Sequence, residues 1–247
     1  YTDENNCTDS NNAIITVIAP TDADAGPDNA VCLNSENIQL NGNPGGGTWS
    51  GNPLVSSSGL FTPSQAGIYS LIYSFGTGTC LRKDTMIMTV HDLPVVTVSP
   101  SSAICTGDST VLVAGGADSY SWTPNEAVSA TTGEAITVNP INSTTYNVVG
   151  TNATTGCENN QNTTITVNPL PTVSAGPDQT LCNQPIAVTL TGTPVAGNWS
   201  GPNITSDGTF TPAEIGTFTV THAYTDENNC TDSNNAIITV IAPTDAD

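Results

Sequence analysis

The residues with the widest chemical repertoire in this sequence are its seven cysteines: Cys7, Cys32, Cys80, Cys105, Cys157, Cys182 and Cys230. Thiols can attack as nucleophiles, ligate metal or pair with one another, and their spacing helps to choose among these roles. Six fall into couples, 32/80, 105/157 and 182/230, separated by 48, 52 and 48 positions. A tryptophan follows the first member of each couple by 17 positions: Trp49, Trp122 and Trp199. The recurrence predicts three modules of about 73 residues. Each is expected to be closed by its own disulfide: Cys32–Cys80, Cys105–Cys157 and Cys182–Cys230. Such a bridge would tie loops at one pole of its module, and a loop of about 50 residues contributes about 2–4 kcal/mol. Paired cysteines in domains this small imply an oxidising, extracellular setting. Cys7 is left over, with a partner either in an earlier stretch of the chain or on a second chain.

Other chemistry is sparse. The histidines are His91 and His222, and neither sits in a Ser-His-acid or Cys-His motif. The acids lie mostly in turns and linkers, without the paired placement across a cleft that glycoside hydrolysis requires. The chain is therefore read as non-enzymatic. Its 22 acidic residues face only Arg82 and Lys83, for a net charge of −20. That field repels nucleic acids and anionic membranes, and no apolar run is long enough to span a bilayer. One acidic junction has a metal-binding composition. Asp22, Asp24 and Asp28, with Asp226 and Glu227 of the "TDENNC" loop, offer hard oxygens of the kind that hold calcium. The rival reading is solvated turn carboxylates. Trp49, Trp122 and Trp199 could stack on sugars, which would make the chain a lectin-like binding module. Their fixed distance from a cysteine favours core positions instead.

The elements that position these residues are strands. β-branched residues, Gly, Pro, Asn and Asp dominate the sequence, and no window has a sustained helical period. "NIQLNG", "GTWSG", "GLFTP", "IYSLIYSF" and "TMIMTVH" alternate or are bounded by turns, giving about seven short strands per module. The fold class is all-β: tandem immunoglobulin-like β-sandwiches in an extended array. Residues 1–24 recur letter for letter as residues 224–247, which implies a tandem period of 223 residues. The expected organisation is a trailing loop and last strand of a preceding repeat over 1–20. Sandwiches follow over 21–92, 93–169 and 170–243, and 244–247 opens a further linker. The strand Asn12–Ile18, parted from its sandwich, needs a partner in an upstream copy or a neighbouring chain.

"AGPDQTLC", "NWSGP", "GTFTPAEIGTFTVTHAYTDENNC" and the exit strand "ITV" resemble repeats of giant surface proteins of gliding bacteria, with Ig-like or PKD-like modules. The resemblance covers all three modules and is strongest in the first and third. It implies an extracellular adhesin, stalk or filament that leaves the cell by the type IX route. The partners implied are further copies of the repeat, in a homo-oligomeric filament, and a cell-surface target.

Overall fold

The computed structural model describes residues 1–17 and 19–243. Ile18 at the end of the expected first strand, and the linker 244–247, lie outside the described residues. Among the described residues the regular structure is almost entirely strand, with one 3-10 turn at Gly78–Cys80.

The first sandwich contains β1 (Asn29–Cys32), β2 (Ile38–Gln39), β3 (Thr48–Ser50), β4 (Leu60–Phe61), β5 (Gly67–Phe75) and β6 (Arg82–His91). One sheet runs β1-β6-β5-β3 and the other β2-β4. The second contains β7 (Thr97–Val98), β8 (Ser102–Cys105), β9 (Thr110–Gly115), β10 (Ser119–Thr123), β11 (Ala135–Val138), β12 (Thr144–Thr151) and β13 (Glu158–Asn168). Its sheets run β10-β12-β13-β8 and β11-β9-β7. The third repeats the first with β14 (Gln179–Cys182), β15 (Val188–Thr189), β16 (Asn198–Ser200), β17 (Thr209–Phe210), β18 (Gly216–Thr225) and β19 (Thr231–Ile241). Its sheets run β14-β19-β18-β16 and β15-β17.

Each sandwich has its own core. Trp49, Phe61, Leu71 and Met88 anchor the first, Trp122, Ile136, Tyr146 and Ile165 the second, and Trp199, Phe210, Val220 and Ile238 the third. The long hairpins supply inward side chains at every second position, as in Met86, Met88 and Val90 of β6, because successive residues of a strand face opposite sides of its sheet. The chain nevertheless groups into two compact units: 1–93 with 152–157, and 94–151 with 158–247. The second unit thus holds two of the three cores.

A short strand in each sandwich pairs in parallel with the last one. β1 joins β6, β8 joins β13 and β14 joins β19, while the remaining pairings are antiparallel. The "AGPD" motif sets this up in the first and third sandwiches. Asp28 Oδ1 accepts the Ile87 amide at 2.8 Å, and Asp178 Oδ1 accepts the Ile237 amide at 2.7 Å. The carboxylate occupies a backbone donor of the last strand just before the parallel ladder begins. Ala25 and Ala175 at the head of the motif are buried. Their amides bond Asp84 Oδ2 and Asn234 Oδ1.

The repeated 24-residue segment adopts two different structures. Its C-terminal copy forms β19, paired along its length with β18, with Ala236, Ile238 and Val240 at most 1% exposed. In the N-terminal copy, residues 9–17 form no strand, and Ile14, Ile15 and Val17 are 85–93% exposed. The expected strand at Asn12–Ile18 is therefore not formed over its described residues. A strand lacks internal hydrogen bonds, so it needs a neighbouring ladder to exist. The preceding turn does not. Asp3 Oδ1 accepts the amides of Asn5 and Cys7 at 3.0 and 2.8 Å. Asp226 Oδ1 accepts those of Asn228 and Cys230 at 2.9 and 2.8 Å. The turn is encoded locally and the strand by its partners.

Candidate functional site: the cysteine staples

Two topological positions carry the cysteines. One is the end of the short parallel strand. Cys32 lies opposite His91, Cys105 opposite Asn168 and Cys182 opposite Ile241. The chain continues the ladder by one more bond each time: Leu33, Thr106 and Asn183 donate their amides to those same three partners' carbonyls at 2.8–2.9 Å. The other position is the turn of the long hairpin. Cys80 ends the 3-10 turn between β5 and β6, Cys157 immediately precedes β13, and Cys230 immediately precedes β19.

These positions correct the expected pairing. Cys32 is in register with the C-terminal end of β6, whereas Cys80 stands before its N-terminal end. The ten residues of β6 thus hold the two about 30 Å apart at the rise of an extended strand. A disulfide needs Cα atoms within about 7 Å, so no bridge can close within a module. The same strand-length separation applies to 105/157 across β13 and to 182/230 across β19. The bonds formed are Cys32–Cys157 and Cys105–Cys230, each with a Cα–Cα distance of 5.5 Å and a sequence separation of 125. Each joins the short strand of one sandwich to the hairpin turn of the next. Cys7, Cys80 and Cys182 are free and exposed.

The turns that present the hairpin cysteines are built by side chains. Asn152 Oδ1 accepts the amides of Thr154 and Thr155, both at 3.0 Å, and the Asn152 amide bonds the Cys157 carbonyl at 2.9 Å. Asp226 does the equivalent work before Cys230. Cys157 and Cys230 are fully buried. On the receiving side, Asn139 Nδ2 donates to the carbonyls of Gly107 and Asp108 at 3.1 and 2.6 Å and holds the loop that follows Cys105. Asn228 and Asn229 of the incoming turn line one cleft together with Ile104, Cys105 and Asp108.

The other candidate residues fall into place around this arrangement. Asp24 Oδ1 accepts the Gly26 amide, Asp28 that of Ile87, and Asp226 those of Asn228 and Cys230. Asp22 stands 3.9 Å from the Arg82 guanidinium with its carboxylate in solvent, and Glu227 is exposed. Among the described residues no three His, Cys, Asp or Glu side chains converge as a metal site. Trp49, Trp122 and Trp199 are 2–6% exposed, so none offers a stacking face, and Trp122 Nε1 donates to the Gly133 carbonyl at 2.9 Å.

Two features had no reading in the sequence. Tyr73 packs tilted against Trp49 with ring centroids 5.1 Å apart, accepts the Gly47 amide at 2.8 Å and donates to the Pro44 carbonyl. His222 takes the same place beside Trp199 at 4.8 Å, but its Nδ1 is buried without a partner. Gly42 and Gly47 in one sandwich, and Gly192 and Gly197 in the other, leave no room for a Cβ against these rings. The offset of 149 between the two modules contained the signal, since Tyr73 and His222 are aligned by it. In the middle sandwich the Tyr146 hydroxyl is also buried without a partner, and burial raises the pKa of its phenol.

No family model and no curated protein sequence matches this chain. Among solved structures it is similar to an I-band fragment of titin, at 16% identity and a TM-score of 0.40, over 92% of this chain and all of that one. Extracellular domains 3–5 of Drosophila OTK align at 11% identity and a TM-score of 0.31, over 91% of this chain and 99% of that one. The eight N-terminal Ig domains of Down Syndrome Cell Adhesion Molecule align at 12% and 0.30, over 90% of this chain and 40% of that one. Two facing sheets with a first strand that leaves to pair beside the last make this chain a tandem of Ig-like β-sandwiches, joined in series by disulfides.

Proposed function

We propose that this chain is a load-bearing segment of an extracellular fibre or stalk, of the repetitive surface-protein kind that its sequence resembles. The observation that carries the reading is the crossing of the two disulfides. Cys32–Cys157 and Cys105–Cys230 overlap in sequence, so the covalent route from one terminus to the other is far shorter than the backbone. It passes from Cys32 to Cys157, back to Cys105, across to Cys230 and out. That is about 100 residues in place of 246, or roughly 350 Å against 850 Å when drawn taut at 3.3–3.6 Å per residue. A sandwich that unfolds under tension therefore gives up little length. Oxidised cysteines and a high net charge suit an exposed, oxidising environment. No described helix is long and apolar enough to cross a membrane.

Stretching single molecules by their termini tests the mechanism. The oxidised chain is expected to stop near the shorter limit and the reduced chain near the longer one. Equal limits would remove the load-bearing reading. Immunogold microscopy on intact cells tests the placement: label along external threads is expected, and label confined to the cell interior would refute it.

A further inference from the structure

We infer that Cys182 and Cys80 are the two halves of a third staple, closed between Cys182 of one copy of this repeat and Cys80 of the next. The inference rests on the array reading above and names its partner as a second copy of this chain.

Three observations carry it. First, Cys182 occupies the position of two residues that are bonded here. It ends a short parallel strand, stands in register with the last strand, and is followed by one further ladder bond, as are Cys32 and Cys105. Secondly, Cys80 occupies the hairpin-turn position of Cys157 and Cys230, the other halves of the same bonds. Both observed staples obey one rule: the strand-end cysteine of a sandwich bonds the hairpin cysteine of the following one. Applied to the third sandwich, that rule calls for a hairpin cysteine in a fourth. Thirdly, residues 224–247 repeat residues 1–24, so the sandwich that follows this sequence pattern is the first one, and its hairpin cysteine is Cys80. Cys182 and Cys80 are both exposed and free.

Closing the bond joins Sγ to Sγ, with loss of two protons and two electrons from the thiols. A small-molecule disulfide accepts them and leaves as two thiols. The result is a continuous ladder. Cys7 to Cys32, Cys80 to Cys105 and Cys157 to Cys182 are each 25 positions apart, so every hairpin cysteine leads to the next strand-end cysteine by the same short step. A covalent route then crosses two sandwiches in 25 residues, of which β13 and β14 already hold eleven and four in extended form in one such step.

The test is a fusion that places two periods in one chain, with the shared 24-residue segment used once at the joint. It is refolded with a glutathione redox pair, and its free thiols are counted under denaturing conditions. The single chain has three free thiols, Cys7, Cys80 and Cys182. The fusion is expected to have three as well, because Cys182 of the first copy and Cys80 of the second are consumed. Five free thiols would overturn the inference. So would a mapped bond from Cys182 to any cysteine other than Cys80 of the second copy. Cys182→Ser in the first copy should raise the count from three to four, with Cys80 of the second copy becoming alkylatable. A fusion with five thiols but the taut length of a stapled chain would discard this bond and leave the array reading standing.

Discussion

The crossed pairing can be tested with a single cut. Arg82 and Lys83 are the chain's only arginine and lysine, so trypsin severs it at one place, between Cys80 and Cys105. With free thiols alkylated and the protein unfolded in urea, bridges confined to single modules would let the fragments part. Cys32–Cys157 spans the cut, so the fragments should migrate together until a reductant is added and then separate as one-third and two-thirds of the chain. The energetic counterpart follows from loop length. A closure of 125 residues lowers the entropy of the unfolded chain by an amount worth about 5 kcal/mol at 25 °C. Removing Cys105–Cys230 with Cys105→Ser and Cys230→Ser should therefore lower the Tm of the unit formed by 94–151 and 158–247 by about 15 °C, taking the usual unfolding entropy per residue. Differential scanning calorimetry reads this. Fragments that separate without reductant, or a Tm that does not move, would refute the reasoning.

Three further outcomes are expected. Asp178→Ala removes the acceptor of the Ile237 amide and should cost about 1–2 kcal/mol, read by urea unfolding, with the β14–β19 amides losing exchange protection first. His222→Tyr restores in the third sandwich the hydroxyl that Tyr73 uses to accept from Gly47 and donate to Pro44, and should stabilise it by about 1 kcal/mol. Tyr146→Phe deletes a buried hydroxyl without a partner and should be stabilising by about 1 kcal/mol. It should also change the alkaline limb of stability. Burial raises the folded phenol above its ordinary value near 10. The neutral form is therefore favoured in the fold, and stability holds below pH about 10 and falls as pH rises through the folded value. Thermal melts of the thiol-alkylated protein from pH 8 to 11 should show a shallower decline in the variant.

Trp49, Trp122 and Trp199, singled out by their spacing, each lie in a separate core, and most strands were legible, because each of these is a local or periodic property. Spacing misassigned the disulfides because it identifies which cysteines recur and not at which end of a sandwich they stand. That depends on the parallel pairing of β1 with β6, a long-range contact that no window of residues contains. A clue was present in the equal separation of 125 for both true pairs, against 48 and 52 for the pairs first expected. Composition also does not show what the acidic side chains bond: Oδ1 of Asp24, Asp28 and Asp226 accepts backbone amides of turns and of β6. The sequence Asn12–Ile18 was legible as a strand, and its described residues 12–17 still form none, since pairing is supplied by other parts of the chain.

The two staples also govern what happens after damage. When heat or a transient pull melts the middle sandwich, Cys105 and Cys157 keep its borders fastened to neighbours that remain intact. The loosened chain cannot drift, tangle with another molecule or lose its place. Its recovery begins from ends already held close to their folded spacing, so a chain stapled this way can mend a failed segment without ever being parted.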